Sequence, residues 1–303
     1  MPTATPIQTP KVKAMAPAQI DHVVVLVPYQ DLIDPPKWVT ENFTLTPGGR
    51  HSDGKTENKL IVFSDGTYIE LIAFINDNPS LRRGHPWGNK SYGFIDFALT
   101  TPAGSNFDYA GLRGRINQKS GSLGIDYDQP IEGGRKRDDG VDVRWKVTFP
   151  KNVVGAGVPG SDISRRGEIP FWCHDIAGRE LRVDTVAANV THPSGVKGIA
   201  QFTILVPDGK MDSYVDLYSS IMDSKPVRMF GTTRLPLETP INIPGLVKPW
   251  VFVEPPTLDV EKKRLLERGP GIIEIALRLG VEGKVGVGRP SIDENGVWIH
   301  FLK

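Results

Sequence analysis

Cysteine is almost absent from this sequence, and so is net charge. The 303 residues include one cysteine, Cys173, and 36 basic against 35 acidic side chains. A single cysteine excludes an intramolecular disulfide framework and any metal centre built mainly from thiolates, and it fits a reducing compartment. A net charge of +1 gives no field that would attract nucleic acid, and no basic run is interleaved with aromatic residues. We therefore expect no nucleic-acid partner.

Long apolar runs are absent as well. None approaches the ~18 to 20 residues that cross a bilayer, and no apolar segment follows the N-terminus as in a secretory signal. Residues 1–17 are rich in Pro and Thr, contain no acid and show no periodicity, which predicts a disordered tail. These absences predict a cytoplasmic protein without a membrane partner.

The rest of the chain alternates strand and turn signals with few helical windows. From residue 20, "IDHVVVLV" predicts a strand, a short helix follows Pro35-Pro36, and "NKLIVF" and "TYIELIAF" predict further strands. The order is β-α-β-β-β. A similar unit follows with "GFIDFALTT", a helix around "FDYAGLRGRI", and the strands "GVDVRWKVTF" and "EIPFWCHDI". We therefore predict an α+β fold of repeated βαβββ modules, which pair into curved mixed sheets around a cleft.

A third pass of the same pattern indicates an internal duplication. It runs from "GIAQFTILVP" through the helix "MDSYVDLYSSIM" to "KPWVFVEPP", and "GIIEIAL" then resembles the earlier "GFIDFAL". We predict a first domain of two modules at 18–184, a linker at 185–197, and a second, partly degenerate pair of modules at 198–303. The last module is expected to have lost its middle.

Period-two alternation predicts which strand residues enter the cleft. His22, Val24 and Leu26 share one face of the first strand, and Tyr68, Glu70, Ile72 and Phe74 share one face of the fourth. A carboxylate inside an apolar strand is costly unless it is paired or binds a cation, so Glu70 needs a partner. His22 is the candidate.

These residues resemble a known family. The segments "IDHVVVLVP", "LTPGGRH", "NKLIVFSDGTYIELIAF", "HPWG", "DGVDVRWKVTFP", "IPFWCHD" and "THPSG" are similar to the glyoxalase-like branch of the vicinal oxygen chelate superfamily. The resemblance covers nearly the whole chain after the tail. It implies paired βαβββ modules and a divalent metal (Zn, Ni, Mn or Fe) bound by residues of first and fourth strands.

Carried onto this chain, the resemblance makes His22 and Glu70 metal ligands of the first module, with Glu70 also available for proton transfer. In the second module, counting back six residues from Pro102 gives Asp96 as the counterpart of His22. The fourth-strand counterpart lies near Trp172 to His174. If Trp172 faces the cleft, His174 completes a two-His, one-carboxylate site; if Phe171 and Cys173 face it, Asp96 must complete the site.

The second half offers a rival ligand set. Gln201 stands where His22 stands, but the strand "WVFVE" has no carboxylate at the place of Glu70, and Glu274 aligns with Asp96. If "GIIEIAL" were instead a fourth strand, then His22, Glu70, Gln201 and Glu274 would form a glyoxalase I-like set.

Other polar residues are candidates for substrate binding and catalysis. The strand "GVDVRWKVTF" places Asp142, Arg144 and Lys146 on one face, and if that face lines the cleft, Arg144 can hold a carboxylate or enolate oxygen. Arg50, His51 and Asn58 follow or flank "PGG" and are candidates for the mouth of the cleft.

The resemblance implies a small-molecule substrate and does not fix the reaction. The leading hypothesis is a metal-dependent lyase or isomerase acting on a small oxygenated molecule bound through adjacent oxygens. The alternatives are an iron-dependent extradiol-type ring-cleaving dioxygenase and a metal-free binding or sequestering protein. Either a monomer or a homodimer is compatible with the sequence.

Overall fold

A computed structural model describes residues 18–102, 106–119, 123–137, 139–153, 165–176, 178–229, 232–280, 291–294 and 296–302. The predicted tail at 1–17 lies outside these ranges. The strands are β1 Gln19–Leu26, β2 Thr46–Arg50, β3 Thr56–Val62, β4 Tyr68–Phe74, β5 Gly93–Thr100, β6 Ile125–Tyr127, β7 Ile131–Lys136, β8 Asp142–Thr148, β9 Pro150–Asn152, β10 Phe171–Asp175, β11 Val196–Leu205, β12 Val227–Met229, β13 Thr232–Pro236, β14 Trp250–Glu254, β15 Gly271–Leu279, β16 Ser291–Glu294 and β17 Val297–Leu302. The helices are α1 Tyr29–Ile33, α2 Lys37–Thr40, α3 Pro79–Arg82, α4 Tyr109–Lys119, α5 Ala187–Val190, α6 Met211–Met222 and α7 Asp259–Arg268.

The first sheet joins two βαβββ modules, as predicted. Its eight strands run in the order β2-β3-β4-β1-β5-β10-β8-β7, with β1 parallel to β4 and antiparallel to β5. In the second module β5 is likewise parallel to the fourth strand, β10. The two edges meet through a bridge between His51 and Arg135 and through a hydrogen bond from Arg135 to the Gly48 carbonyl. The curved sheet therefore nearly closes into a barrel, which protects its edges and encloses a cavity.

The second sheet repeats this arrangement, in the order β12-β13-β14-β11-β15-β17-β16. Gln201 of β11 pairs with Trp250 of β14 and Ala276 of β15, just as His22 pairs with Tyr68 and Ala98. The register therefore confirms that Gln201 is the counterpart of His22. It also confirms Glu274 as the counterpart of Asp96 and places Phe252 at the position of Glu70, because Thr203 pairs with Phe252 and Glu274 while Val24 pairs with Glu70 and Asp96.

Both sheets share one apolar core on their helix-covered sides. The predicted helix α6 buries Tyr214, Leu217, Tyr218 and Ile221 along one face, the spacing of an amphipathic helix. Across the junction, the ring centroids of Phe97 and Phe202 lie 5.1 Å apart. The predicted linker is tied into this structure, since the His192 ring accepts from Thr44 N at 3.0 Å and donates to the Val62 carbonyl at 2.9 Å.

Within the described residues, none of the helices has the length and apolar character needed to cross a bilayer.

Candidate functional site

A cavity of about 430 Å³ lies inside the first sheet. As predicted from the alternation, His22, Tyr68 and Glu70 point into it, while Val24, Leu26, Ile72 and Phe74 form an apolar cluster on the same concave side. Trp145 and Val147 of β8 and Phe171 and Cys173 of β10 form the opposite wall. The cavity therefore combines a largely apolar lining with a few polar groups, the usual make-up of a small-molecule site.

Glu70 is the centre of the polar cluster. Its Oε1 accepts a 2.6 Å hydrogen bond from Asn58 Nδ2 and lies 3.6 Å from His51 Nε2, and its Oε2 lies 3.6 Å from His22 Nε2. Glu70 is 6% exposed and Asn58 7%. The structure thus brings together His22 and Glu70 with two residues expected at the mouth of the cleft, His51 and Asn58.

The rings of His22 and His51 are each held by a contact at Nδ1, the nitrogen that faces away from Glu70. His22 Nδ1 lies 2.8 Å from Asp21 Oδ2, and the His22 ring stacks on Tyr68 at 4.5 Å. His51 Nδ1 lies 2.7 Å from Thr56 Oγ1. These outer contacts fix the ring orientations so that each Nε2 faces Glu70.

A buried ionic network keeps Asp21 charged. Arg182 donates to Asp21 at 2.8 and 3.0 Å, and Arg179 lies 2.6 Å from it. Burial alone would raise the pKa of Asp21, but the two guanidiniums and the hydrogen bond from His22 outweigh burial and hold that pKa well below its usual value. Because a charged carboxylate only accepts, the Asp21 contact assigns a proton to His22 Nδ1.

The other ring nitrogen of His22, Nε2, faces the Glu70 carboxylate. A neutral His22 with its proton on Nδ1 directs the Nε2 lone pair toward the Glu70 carboxylate, which is electrostatically unfavourable in a buried site. A second proton or a cation between the two groups removes this conflict. The donor chemistry of His22, Glu70 and His51 therefore suits a divalent metal.

The second module does not add to this set. Ala98 lies beside His22 across β1 and β5 and pairs with Phe171, and the strand β10 lines the cavity with Phe171 and Cys173. Burial raises the pKa of the Cys173 thiol far above its usual value, which disfavours the thiolate. In the parts of the chain that the structure describes, no group of three or more His, Cys, Asp or Glu side chains is already arranged to hold a metal ion.

His174 lies outside the cavity. Phe171 and Cys173 face inward, so the alternation turns Trp172 and His174 to the other side of β10. There the His174 ring packs 4.1 Å from Phe107, and its Nδ1 lies 3.2 Å from Thr101 Oγ1. Burial lowers the pKa of His174 to about 4, so it is a neutral packing residue here. The hypothesis in which Trp172 faces the cleft is wrong.

The register confirms Asp96 as the counterpart of His22 in the second module. Val23 of β1 pairs with Phe97 of β5, and each strand has a bulge two residues before this pair, at Asp21 and at Ile95, so that His22 and Asp96 take equivalent positions. Asp96 forms a buried ion pair with Arg166 and accepts from Trp87 Nε1 at 2.8 Å. Its carboxylate is thus occupied by structural partners, and it does not complete the site.

Arg144 and Arg50 are outside the cavity lining. Arg144 is exposed on the outer face of β8 and pairs with Glu132, because Trp145 and Val147 take the inward positions. Arg50 is exposed and donates to the Gly54 carbonyl at 3.3 Å. The face of β8 that carries Arg144 does not line the cavity, so Arg144 does not bind substrate there.

Gln201 and Glu274 belong to the second sheet. Since β15 is antiparallel to β11, as β5 is to β1, "GIIEIAL" is a first strand, and the rival set with His22 and Glu70 is wrong. Glu274 instead lies 2.9 Å from His300 Nε2 and accepts from Thr203 at 3.0 Å.

Two arginines of the cavity were missed by the sequence reasoning. Arg135, 8% exposed, donates to the carbonyls of Gly48 and Arg182 and has no carboxylate within 4.0 Å among the described residues. Arg166 lies between three rings, with its Cζ 4.6 Å from Trp87, 4.2 Å from Phe149 and 4.5 Å from Phe171. Neither position follows from local periodicity, because each depends on a contact between distant segments.

The comparisons with known proteins agree with this architecture. A family model described as a Glyoxalase-like domain matches residues 20–222. A hypothetical protein from Staphylococcus aureus is 16% identical, with 94% of this chain and 99% of that chain covered and a TM-score of 0.63. This likeness shows the shared fold.

Further solved structures are more distant. A xylose isomerase-like TIM barrel/4-hydroxyphenylpyruvate dioxygenase fusion protein is 15% identical over 91% of this chain and 39% of its own, with a TM-score of 0.49. A methylmalonyl-CoA epimerase from Streptomyces coelicolor is 14% identical over 54% of this chain and 100% of its own, with a TM-score of 0.32. No curated protein sequence matches. Since the family model spans more than half of the 303 residues, the chain belongs to the Glyoxalase-like domain family.

Proposed function

We propose that the protein is a lyase or isomerase that acts on a small oxygenated organic molecule, bound in the cavity of the first sheet through adjacent oxygen atoms. The convergence of His22, His51 and Asn58 on the buried Glu70 carboxylate carries this proposal. Groups that accept and donate protons around one enclosed point are what proton abstraction next to a carbonyl requires.

Each residue has a defined role in this proposal. Glu70 takes a proton from the carbon beside the substrate carbonyl and gives it back to a neighbouring atom of the substrate, while Asn58 fixes the carboxylate. Arg135 lines the same cavity as a buried cation and stabilises the negative charge that develops on the substrate oxygen. Asp21 orients His22 without touching the substrate.

We further propose that a divalent metal belongs to this site, with His22, Glu70 and His51 as its protein ligands. The facing of the His22 Nε2 lone pair and the Glu70 carboxylate supports a cation there. When bound, such an ion would polarise two adjacent substrate oxygens. His51 takes the place that the sequence reasoning gave to His174.

Metal analysis and isotope exchange test the proposal. Protein purified without added metal is expected to contain about one equivalent of Zn, Ni, Mn or Fe, and His22→Ala to lose it. Proton NMR in D2O, with a panel of small α-hydroxy ketones and α-keto acids, is expected to show exchange at the carbon beside the carbonyl that Glu70→Gln slows by ~100-fold or more.

The second sheet supplies the control. Glu274, the counterpart of Asp96 in the second sheet, also faces a histidine, His300, and lies outside the cavity. Glu274→Gln should therefore leave isotope exchange and metal content unchanged. Equal exchange rates in Glu70→Gln and wild type would overturn the proposed chemistry. Unchanged metal content in His22→Ala would overturn the proposed ligands.

A metal-free binding protein is the second candidate, because Asp96 is held in an ion pair with Arg166 and the strand β10 lines the cavity with Phe171 and Cys173. Metal-free protein that binds a small organic acid in the cavity without any exchange would favour it. An iron-dependent dioxygenase would instead consume oxygen with a catechol, which the same two-His, one-carboxylate set could support.

A further inference from the structure

A second cavity, of about 620 Å³, lies where the two halves of the chain meet. On one side are the loop before β5 and the start of that strand; on the other are α7 and the turn into β15. Its described lining consists of Gly84, His85, Pro86, Asn89, Lys90, Ser91, Phe94, Ile95, Gly167, Arg264, Glu267, Arg268 and Pro270. Nothing in the proposed chemistry uses this space.

Three cationic side chains line it without ionic partners. Arg264 donates to the carbonyls of Gly269 at 3.0 Å and Ile272 at 3.1 Å, and Arg268 donates to the Tyr92 carbonyl. Among the described residues, Lys90, Arg264 and Arg268 have no carboxylate within 4.0 Å. The acid of the described lining, Glu267, is exposed and lies 3.8 Å from Lys263.

The charges are close together. A Cβ placed on Gly167 would lie 3.4 Å from Lys90 Nζ, and one placed on Gly271 would lie 2.7 Å from the Gly167 carbonyl and 3.8 Å from Arg264 Nη2. Lys90 and Arg264 therefore lie on either side of the place where Gly167 and Gly271 come together. Burial lowers the pKa of all three cations, and at Arg264 repulsion from Arg268 adds to burial, so that its pKa falls to about 10. Asp96 acts in the opposite direction on the pKa of Lys90, and Glu267 does so on that of Arg268.

We propose that this basic cavity binds the phosphate or diphosphate group of a small organic molecule. Gathering like charges in a half-buried space is unfavourable unless an anion neutralises them. A phosphate offers two negative charges and several acceptor oxygens to guanidinium forks, which a single carboxylate does not.

The position of the basic cavity links it to the proposed catalytic one. Gly84, His85 and Pro86 line both, so one short loop separates them. The phosphate is carried either by the substrate of the proposed reaction or by a separate effector. The two sources share the same chemistry, and kinetics distinguishes them.

Isothermal titration of the full-length protein with pyrophosphate and with inorganic phosphate tests the site. We expect saturable 1:1 binding of pyrophosphate that weakens as salt is raised. Arg264→Gln and Lys90→Gln should each weaken it by about tenfold or more, the usual effect of losing one charge-assisted hydrogen bond. Lys262→Gln removes an exposed cation from the same helix and should change binding less than about twofold.

His22→Ala separates this proposal from the proposed function, since pyrophosphate binding should persist whether or not His22 takes part in catalysis. Competitive inhibition of isotope exchange by pyrophosphate would assign the phosphate to the substrate, and non-competitive modulation would assign it to an effector. Absence of saturable binding to wild type would overturn the proposal. Equal weakening of pyrophosphate binding by Lys262→Gln would also overturn it. If Arg264→Gln and Lys90→Gln lowered the melting temperature without changing pyrophosphate binding, the proposal would be wrong, and Arg264 would serve only to bind backbone carbonyls.

Discussion

At the residue scale, the ion pair of Asp96 and Arg166 is almost fully withdrawn from water, with exposed fractions of 1% and 5%. Removing one member leaves the other as a buried charge. We expect Arg166→Met to lower the free energy of unfolding by about 3–5 kcal/mol. The double variant Asp96→Asn/Arg166→Met should recover part of the loss, as measured by urea denaturation.

The exposed pair of Arg144 and Glu132 provides the comparison, since both side chains are more than half exposed. Arg144→Met should change stability by less than about 1 kcal/mol. Similar losses in Arg166→Met and Arg144→Met would show that the buried pair does not contribute as its burial implies.

Asp65, in the turn between β3 and β4, gives a pH-dependent prediction. Burial raises its pKa to about 6 despite hydrogen bonds from Thr67, and it is 2% exposed. Because the folded pKa exceeds the unfolded value of about 3.9, the stability that protonated Asp65 provides is complete below pH ~4 and is lost as the pH rises through 6.

We therefore expect wild type to lose up to about 3 kcal/mol relative to Asp65→Asn between pH 4 and pH 7, since one pKa unit corresponds to ~1.4 kcal/mol. Unfolding free energies of both proteins across this range are the measurement. Parallel curves would contradict the assignment.

At the element scale, alternation predicted the long strands well and the short strand β10 poorly. The period of two identified His22, Glu70 and their shared face, because side chains of a regular strand alternate without exception. Counting along β5 also assigned Asp96 correctly, because β1 and β5 have bulges at equivalent places, Asp21 and Ile95. The orientation of β10 was left open between two faces, since five residues that are apolar or aromatic at most positions carry little periodic signal.

Strand β2 shows how a backbone contact supports the site. A Cβ on Gly48 would lie 2.0 Å from Asn58 Oδ1 and 2.3 Å from the Asn58 carbonyl, so Asn58 must move if Gly48 is replaced. Because Asn58 holds Glu70, Gly48→Ala should cost about 1–3 kcal/mol of stability and also slow the isotope exchange.

Gly114 of α4 is the matched control, since a Cβ there meets nothing within 4 Å. Gly114→Ala should stabilise the protein by about 0.5–1 kcal/mol, as expected inside a helix, without affecting exchange. Melting temperatures together with exchange rates test both variants. Unaltered exchange in Gly48→Ala would mean that Asn58 does not position Glu70.

At the scale of the whole molecule, the sequence duplication predicted two related sheets but not how they touch. The Arg135 contact with Gly48 closes the first sheet across 87 residues of chain, and the basic cavity needs residues from both halves. Such contacts depend on tertiary packing, which local periodicity does not encode. The division into domains at 184 and 198 stays a prediction, and the family match extends beyond it to Met222.

The extent to which the two halves unfold together can be measured at Gly198. Its position in β11 faces the turn of the first sheet, where a Cβ would lie 1.8 Å from Asp65 Oδ2, and Asp65 N also donates to the Lys197 carbonyl at 3.2 Å. The core is continuous across the junction, with Phe97 against Phe202 and the Tyr218 hydroxyl bonded to the Glu168 carbonyl at 2.5 Å. Neither sheet can separate without exposing apolar surface.

We therefore expect Gly198→Ala to lower the unfolding free energy that hydrogen exchange reports in β1 and in β11 by the same amount, about 1–3 kcal/mol. Native-state exchange in increasing denaturant is the measurement, and Gly209→Ala, where a Cβ meets nothing within 4 Å, is the control on the same half. A decrease confined to β11 would show two independently stable domains. An equal decrease would show one cooperative unit, in which the second sheet stabilises the half that holds Glu70.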